Sequence, residues 1–136
     1  MTKEMKWQAG TVLKPLEKPE ITREQLRAYA DVSGDVNPIH LDEAFAKQGG
    51  FPSVIVHGMI SMAFMGDHIR FNFPESDFTL VRMRTRFRKV TFPGDRLTCE
   101  GEVKKVNENN SITVGLRIKN QKNEITTDGE AEILSS

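Results

Sequence analysis

Apolar and polar positions alternate with a period of two over most of the second half of the chain. Between Asp77 and Val90, Val81, Met83, Thr85 and Phe87 interleave with Arg82, Arg84, Arg86 and Arg88, which predicts a half-buried strand with one apolar and one cationic face. Phe92-Pro-Gly-Asp95 reads as a turn, after which Leu97, Cys99, Gly101 and Val103 alternate with Thr98, Glu100, Glu102 and Lys104. The glutamates of this second strand are expected to pair across to the arginines of the first. Beyond Asn107 to Asn110, Ile112, Val114, Leu116 and Ile118 alternate again. Asn120 to Asn123 turns the chain, and Ile125, Thr127, Gly129, Ala131 and Ile133 close the series. The expected arrangement is a four-strand antiparallel meander, extended to five by an N-terminal strand over 11–16.

The first half follows a helical period. Residues 22–32 predict a helix: Thr22 and Gln25 have capping-box spacing, Ile21 and Leu26 fit the hydrophobic staple, and Gly34 supplies the stop. A short helix from Glu43 to Lys47 is capped by Asp42 and ended by Gly49. From His57 to Ile69 the chain is apolar on nearly every helical face and contains no proline, which predicts a buried central helix. A helix of this kind under one face of a sheet gives an α+β architecture.

The polar residues between the first two helices carry the candidate chemistry. Gly34 ends the helix, and Pro38 keeps Asn37 extended, so Asp35 to His40 should form a rigid loop. A bend through Asn37-Pro38 would bring the Asp35 carboxylate and the His40 imidazole to one small volume. There they could hold and deprotonate a water. Ordinary turn chemistry explains the same residues, because Asp after a helix-stopping glycine and Asn-Pro are both common in turns. Gly58, at the start of the central helix, either lets a carbonyl oxygen approach a bare amide at the positive end of the helix dipole or permits close packing there.

Read together, Tyr29-Ala-Asp-Val-Ser-Gly-Asp35-Val-Asn-Pro-Ile-His40, Phe45-Ala46 and Val56-His57-Gly58-Met59 resemble the MaoC-like family of (R)-specific enoyl-CoA hydratases and dehydratases. The resemblance is densest from Ile21 to Gly66. It implies a single hot-dog domain over residues 1–136, an antiparallel sheet wrapped around a central helix. It further implies that Asp35 and His40 are the catalytic pair that adds water to, or removes it from, an acyl thioester, and that the Gly58 N–H is the oxyanion-hole donor to the thioester oxygen. Asn37 would orient the pair or contact substrate. His57 would support the site, either by a direct role or by bracing the turn into the helix. Both protons are then handled on one face, so addition should be syn, with no metal or redox cofactor.

Coenzyme A or an acyl carrier protein is expected as the handle of the substrate, and a homodimer as the assembly. Phe51 and Ile55 fit either an acyl channel or the plain core. Two other readings stay open. A hot-dog thioesterase would place its carboxylate on the central helix, where only Asp67 stands, and a non-catalytic acyl-thioester-binding subunit of a heterodimer would not need the acid and histidine.

Composition narrows the remaining choices. Nineteen basic and nineteen acidic residues cancel, so nothing in the overall charge argues for nucleic acid. No stretch approaches the roughly eighteen apolar residues of a membrane span, and the start, Met1 to Trp7, has no apolar core of the signal-peptide kind. A cytoplasmic location is therefore expected. Cys99 is the only cysteine, expected to be a buried inert thiol. His40, His57 and His68 show no recognised metal-ligand spacing. Arg82, Arg84, Arg86, Arg88 and Lys89 fit either a phosphate-binding or carrier-protein surface or a solvated sheet face.

Overall fold

All three predicted helices form in the computed structural model, which describes residues 7–135, and the first two keep their predicted ends to within one residue. The segment Met1 to Lys6, on which the leader argument mainly rests, lies outside the described residues. Strand β1 is Leu16–Glu17, followed by helices α1, Arg23–Ser33, α2, Glu43–Gln48, and α3, Gly58–Asn72. Strands β2, Phe78–Phe87, β3, Thr98–Val106, β4, Ser111–Lys119, and β5, Ile125–Ser135, complete the chain. At the start of α1, the Gln25 N–H donates to Thr22 Oγ1 (3.2 Å) and the Thr22 N–H donates to Gln25 Oε1 (2.8 Å), the reciprocal capping box. Ile21 and Leu26 are buried beside it. Gly34 ends α1 at φ 82°, a left-handed conformation that favours glycine.

Among the described residues five strands pair antiparallel in the order β1-β3-β4-β5-β2, and α3 packs against β2, β3 and β4. This is the expected hot-dog layout, but the four-strand meander needs correction. Only β3-β4-β5 meander, while β2 pairs with β5 along its whole length. The segment from Arg88 to Leu97 is too long for a hairpin loop and crosses to the other side of the sheet. The cross-strand ion pairs change partners accordingly. Arg82 meets Glu132 at 3.0 Å, and Arg86 and Arg88 share Asp128, while Glu100 pairs with Arg117 and Lys119 on β4.

Two burial expectations also change. On β2, Val81 and Phe87 remain 55% and 53% exposed, because β2 is a sheet edge and a register shift between Leu80 and Arg82 takes Val81 out of the ladder. Helix α3 runs three residues past the predicted end and is not buried all round. Ile60, Ser61, Met65, His68, Ile69 and Asn72 face inward, whereas Met59 and Phe71 are exposed. The N-terminal strand is shorter than expected: Leu16 and Glu17 form the ladder, and Val12 adds an isolated bridge to Glu102. Cys99 is fully buried, and burial pushes its thiol up to about 12, which matches the inert role.

Buried polar groups fasten α3 to the N-terminal segment. Asn72 Oδ1 accepts from the Lys14 N–H (2.8 Å), while Asn72 Nδ2 and His68 Nε2 both donate to the Lys14 carbonyl (3.0 and 2.8 Å). His68 is fully buried, its Nδ1 has no partner, and desolvation holds its pKa below the ordinary histidine value. The unfolded chain therefore takes up a proton near pH 6.5 that the folded chain refuses. Stability should fall as pH drops below about 6.5, by up to about 1.4 kcal/mol per pH unit for this group. Thermal midpoints recorded from pH 7.5 to 5.5 should decline, and the decline should be shallower in His68→Gln; an unchanged slope in the variant would remove His68 as the cause.

Candidate active site

The loop after α1 is built by local hydrogen bonds that aim two side chains. The Asp35 N–H donates to Ser33 Oγ (3.1 Å), and Asp35 Oδ1 accepts from the Asn37 N–H (3.4 Å), an Asx turn. Asn37 Oδ1 in turn accepts from the Ile39 N–H (3.0 Å), capping the 3-10 turn Pro38–His40. This bond commits the Asn37 carbonyl oxygen to the loop backbone. Asp35 Oδ2 is left facing His40.

His40 is held from its far side. Its Nδ1 lies 2.8 Å from the Ile55 carbonyl, and a carbonyl only accepts, so Nδ1 carries the proton and neutral His40 has its lone pair on Nε2. That nitrogen sits 3.9 Å from Asp35 Oδ2, with the His40 side chain 12% exposed and Asp35 50% exposed. The gap is too long for a direct hydrogen bond. Both atoms can nevertheless lie about 2.8 Å from one water oxygen placed between them.

Gly58 opens α3 beside this pair. As the first helical residue its amide has no intrahelical acceptor, and the positive end of the helix dipole lies there. Gly58 and His40 line the same cavity, of about 290 Å³, with Ile55, Ser61, Phe87 and Thr127 among its other walls. A Cβ at Gly58 would stand 3.1 Å from the Phe87 ring, so the glycine also permits that close approach. Ile55 lines the cavity, whereas Phe51 packs against the core.

Sequence reasoning missed Ser61, Phe87 and Thr127 as cavity residues. Ser61 lies one turn beyond Gly58 and could have been found from helix spacing. Phe87 and Thr127 come together only through the β2–β5 pairing, which the meander expectation did not contain. A larger groove of about 440 Å³ on the sheet, bounded by Arg84, Glu102, Lys104 and Glu130, mixes charges of both signs and lies away from the Asp35–His40 pair.

His57 completes the cluster. Its ring stacks on His40 at 3.8 Å between centroids and 22° between planes, its Nε2 lies 3.1 Å from the Asp35 carbonyl oxygen, and Tyr29 meets its edge. Asp35, His40 and His57 each offer one ligand atom within a 4.8 Å set, a juxtaposition that spacing along the chain did not reveal. Imidazole lone pairs lie in the ring plane, and those of two stacked, nearly parallel rings do not meet at one point. The arrangement therefore suits proton transfer better than metal ligation. Asp67, the carboxylate on α3, is engaged by Lys18 (2.9 Å) and Arg70 (2.5 Å).

Comparison with known proteins matches residues 6–126 to the MaoC like domain. An (R)-specific enoyl-CoA hydratase from Aeromonas caviae is 33% identical over 110 residues, covering 80% of this chain and 82% of that protein. Among solved structures, the R-hydratase PhaJ1 from Pseudomonas aeruginosa superposes with a TM-score of 0.87 at 32% identity, covering 96% of this chain and 83% of the other. A 3-hydroxyacyl-thioester dehydratase X from Mycobacterium tuberculosis is 45% identical over 69 residues, which is 51% of this chain and 23% of that longer protein.

Proposed function

The chain belongs to the MaoC-like family, and on that premise we propose that Asp35 and His40 catalyse the (R)-specific hydration of trans-2-enoyl thioesters, or the reverse dehydration of (R)-3-hydroxyacyl thioesters. The chain is a hydro-lyase of fatty-acid type. The observation that carries the residue assignment is the 3.9 Å separation of Asp35 Oδ2 from the free Nε2 of His40, in a site whose cavity also contains the start of α3.

In the hydration direction, a water between the two groups gives a proton to His40 Nε2 as its oxygen bonds to the β carbon. The double-bond electrons move into the thioester, and the carbonyl oxygen gains enolate charge. The Gly58 N–H and the α3 dipole stabilise that charge. The enolate then takes a proton at the α carbon from the same pair, which regenerates neutral His40. Asp35 offsets the positive charge on the imidazolium while it exists. Protons are handled by protein side chains throughout, so the scheme uses no metal or redox cofactor.

The first experiment is incubation of the purified chain with crotonyl-CoA. Loss of the conjugated absorbance without release of free thiol is the expected result; thiol release would instead indicate a thioesterase. The existing ion pairs of Asp67 argue against that chemistry, because they occupy the carboxylate a thioesterase would use.

The substrate handle is an anion-bearing group, coenzyme A or a carrier-protein phosphopantetheine. Of the five cations in the arginine-rich run, Arg88 and Lys89 line the active-site cavity. Arg88→Gln and Lys89→Gln should each raise KM for a coenzyme A thioester by about threefold to tenfold, because both side chains are half-exposed and an ionic contact screened by water falls short of the roughly 1.5–3 kcal/mol of a desolvated one. An N-acetylcysteamine thioester, which lacks phosphate, should be unaffected. Equal losses on both substrates would place these residues elsewhere in the function.

The proposal extends to a homodimer located in the cytoplasm. The exposed apolar residues Leu80, Val81 and Phe87 on edge strand β2 support association through that edge. No helix among the described residues is long and apolar enough to cross a membrane.

A further inference from the structure

His57 is 99% buried, yet its ring nitrogens are treated differently by the fold. Nε2 faces the Asp35 carbonyl oxygen at 3.1 Å, while Nδ1 is buried without any partner. Since a carbonyl accepts only, Nε2 carries the proton. A second proton, on Nδ1, would bury an unpaired donor and a charge together. His57 is therefore a neutral imidazole with a fixed tautomer, and desolvation accordingly holds its pKa below the ordinary value.

Two of its contacts fall on the two members of the catalytic pair. The Nε2–H ties down the backbone of Asp35, and the flat face lies against the His40 ring. As residue preceding Gly58, His57 is also the N-cap of α3. The Asp35 backbone and the His40 ring are thus both held against one rigid side chain, whose own backbone leads directly into the first residue of α3. Its neighbours in the cluster are Asp35 and His40, with the Tyr29 ring closing its edge.

We propose that His57 is a positioning residue, whose neutral ring fixes the Asp35 loop and the His40 ring in register and presents an electron-rich face to the His40 imidazolium formed during turnover. The inference rests on the hydratase reading above. A neutral aromatic face attracts a cation most strongly where water is excluded, and misplacement of a catalytic group by about 1 Å can cost on the order of a hundredfold in rate.

The test divides the two contacts. His57→Phe keeps a flat ring and loses the N–H, while His57→Gln keeps an N–H donor and loses the ring. Each should lower kcat roughly ten- to hundredfold with KM within about threefold of wild type. A rise in KM at preserved kcat would make His57 a substrate contact and overturn the proposal, as would unchanged kcat in both variants. Long-range nitrogen–proton NMR on the wild-type protein tests the geometry without any substitution: His57 should be the neutral Nε2–H tautomer at pH 8, and a Nδ1–H tautomer or an imidazolium there would overturn it. Wild-type turnover of crotonyl-CoA in the same series tests the hydratase reading separately, because its absence would defeat that reading while the NMR result still decides the state of His57.

Discussion

Asp35→Asn should lower kcat for enoyl-thioester hydration by roughly a hundred- to ten-thousandfold and leave the thermal midpoint nearly unchanged. Asparagine retains an oxygen to accept from the Asn37 N–H, so the Asx turn that shapes the loop survives. What disappears is the negative charge beside His40 Nε2 and an acceptor for the water. The carboxylate is half-exposed and approaches His40 only to 3.9 Å, so its loss should alter stability by about 0.5 kcal/mol or less. Steady-state kinetics beside a melting curve checks both halves. A variant with normal melting and wild-type kcat would remove Asp35 from the chemistry.

His40→Asn should have a comparable effect for a complementary reason. The shorter side chain can place its amide N–H where Nδ1–H stood and keep the bond to the Ile55 carbonyl, but it has no atom at Nε2. Removing the ring also takes away the surface on which His57 stacks, so a stability loss of about 1 kcal/mol is expected from packing and hydrogen bonding together. The informative comparison is the double variant. Residues that act on one proton transfer are not additive, and Asp35→Asn with His40→Asn should cost little more in kcat than either alone. Additive losses would mean that the two groups serve separate steps.

These residues were legible in the sequence because their placement is local. Gly34, Pro38 and the Asp35 and Asn37 turn bonds fix the loop within a few residues, and Thr22 and Gln25 fix the helix that delivers it. The start of α3 at Gly58 was likewise readable from its apolar run. The features that were not legible depend on pairings distant along the chain. Phe87 meets Gly58 because β2 joins β5 rather than β3, and nothing in the alternation of β2 distinguishes those partners. The exposed side of α3 looked like core because hydrophobicity records that a face needs covering and not whether the same chain covers it. The stack of His57 on His40 arises where the loop after α1 meets the turn into α3, and no spacing rule connects those two positions.

In the proposed mechanism one pair of side chains, on one face of the substrate, handles both protons. Hydration of crotonyl-CoA in D2O, followed by configurational analysis at both carbons of the product, tests it directly. The expected product carries an (R)-3-hydroxyl with a single deuterium added to the α carbon from the same face. An (S)-alcohol, or deuterium delivered from the opposite face, would contradict it.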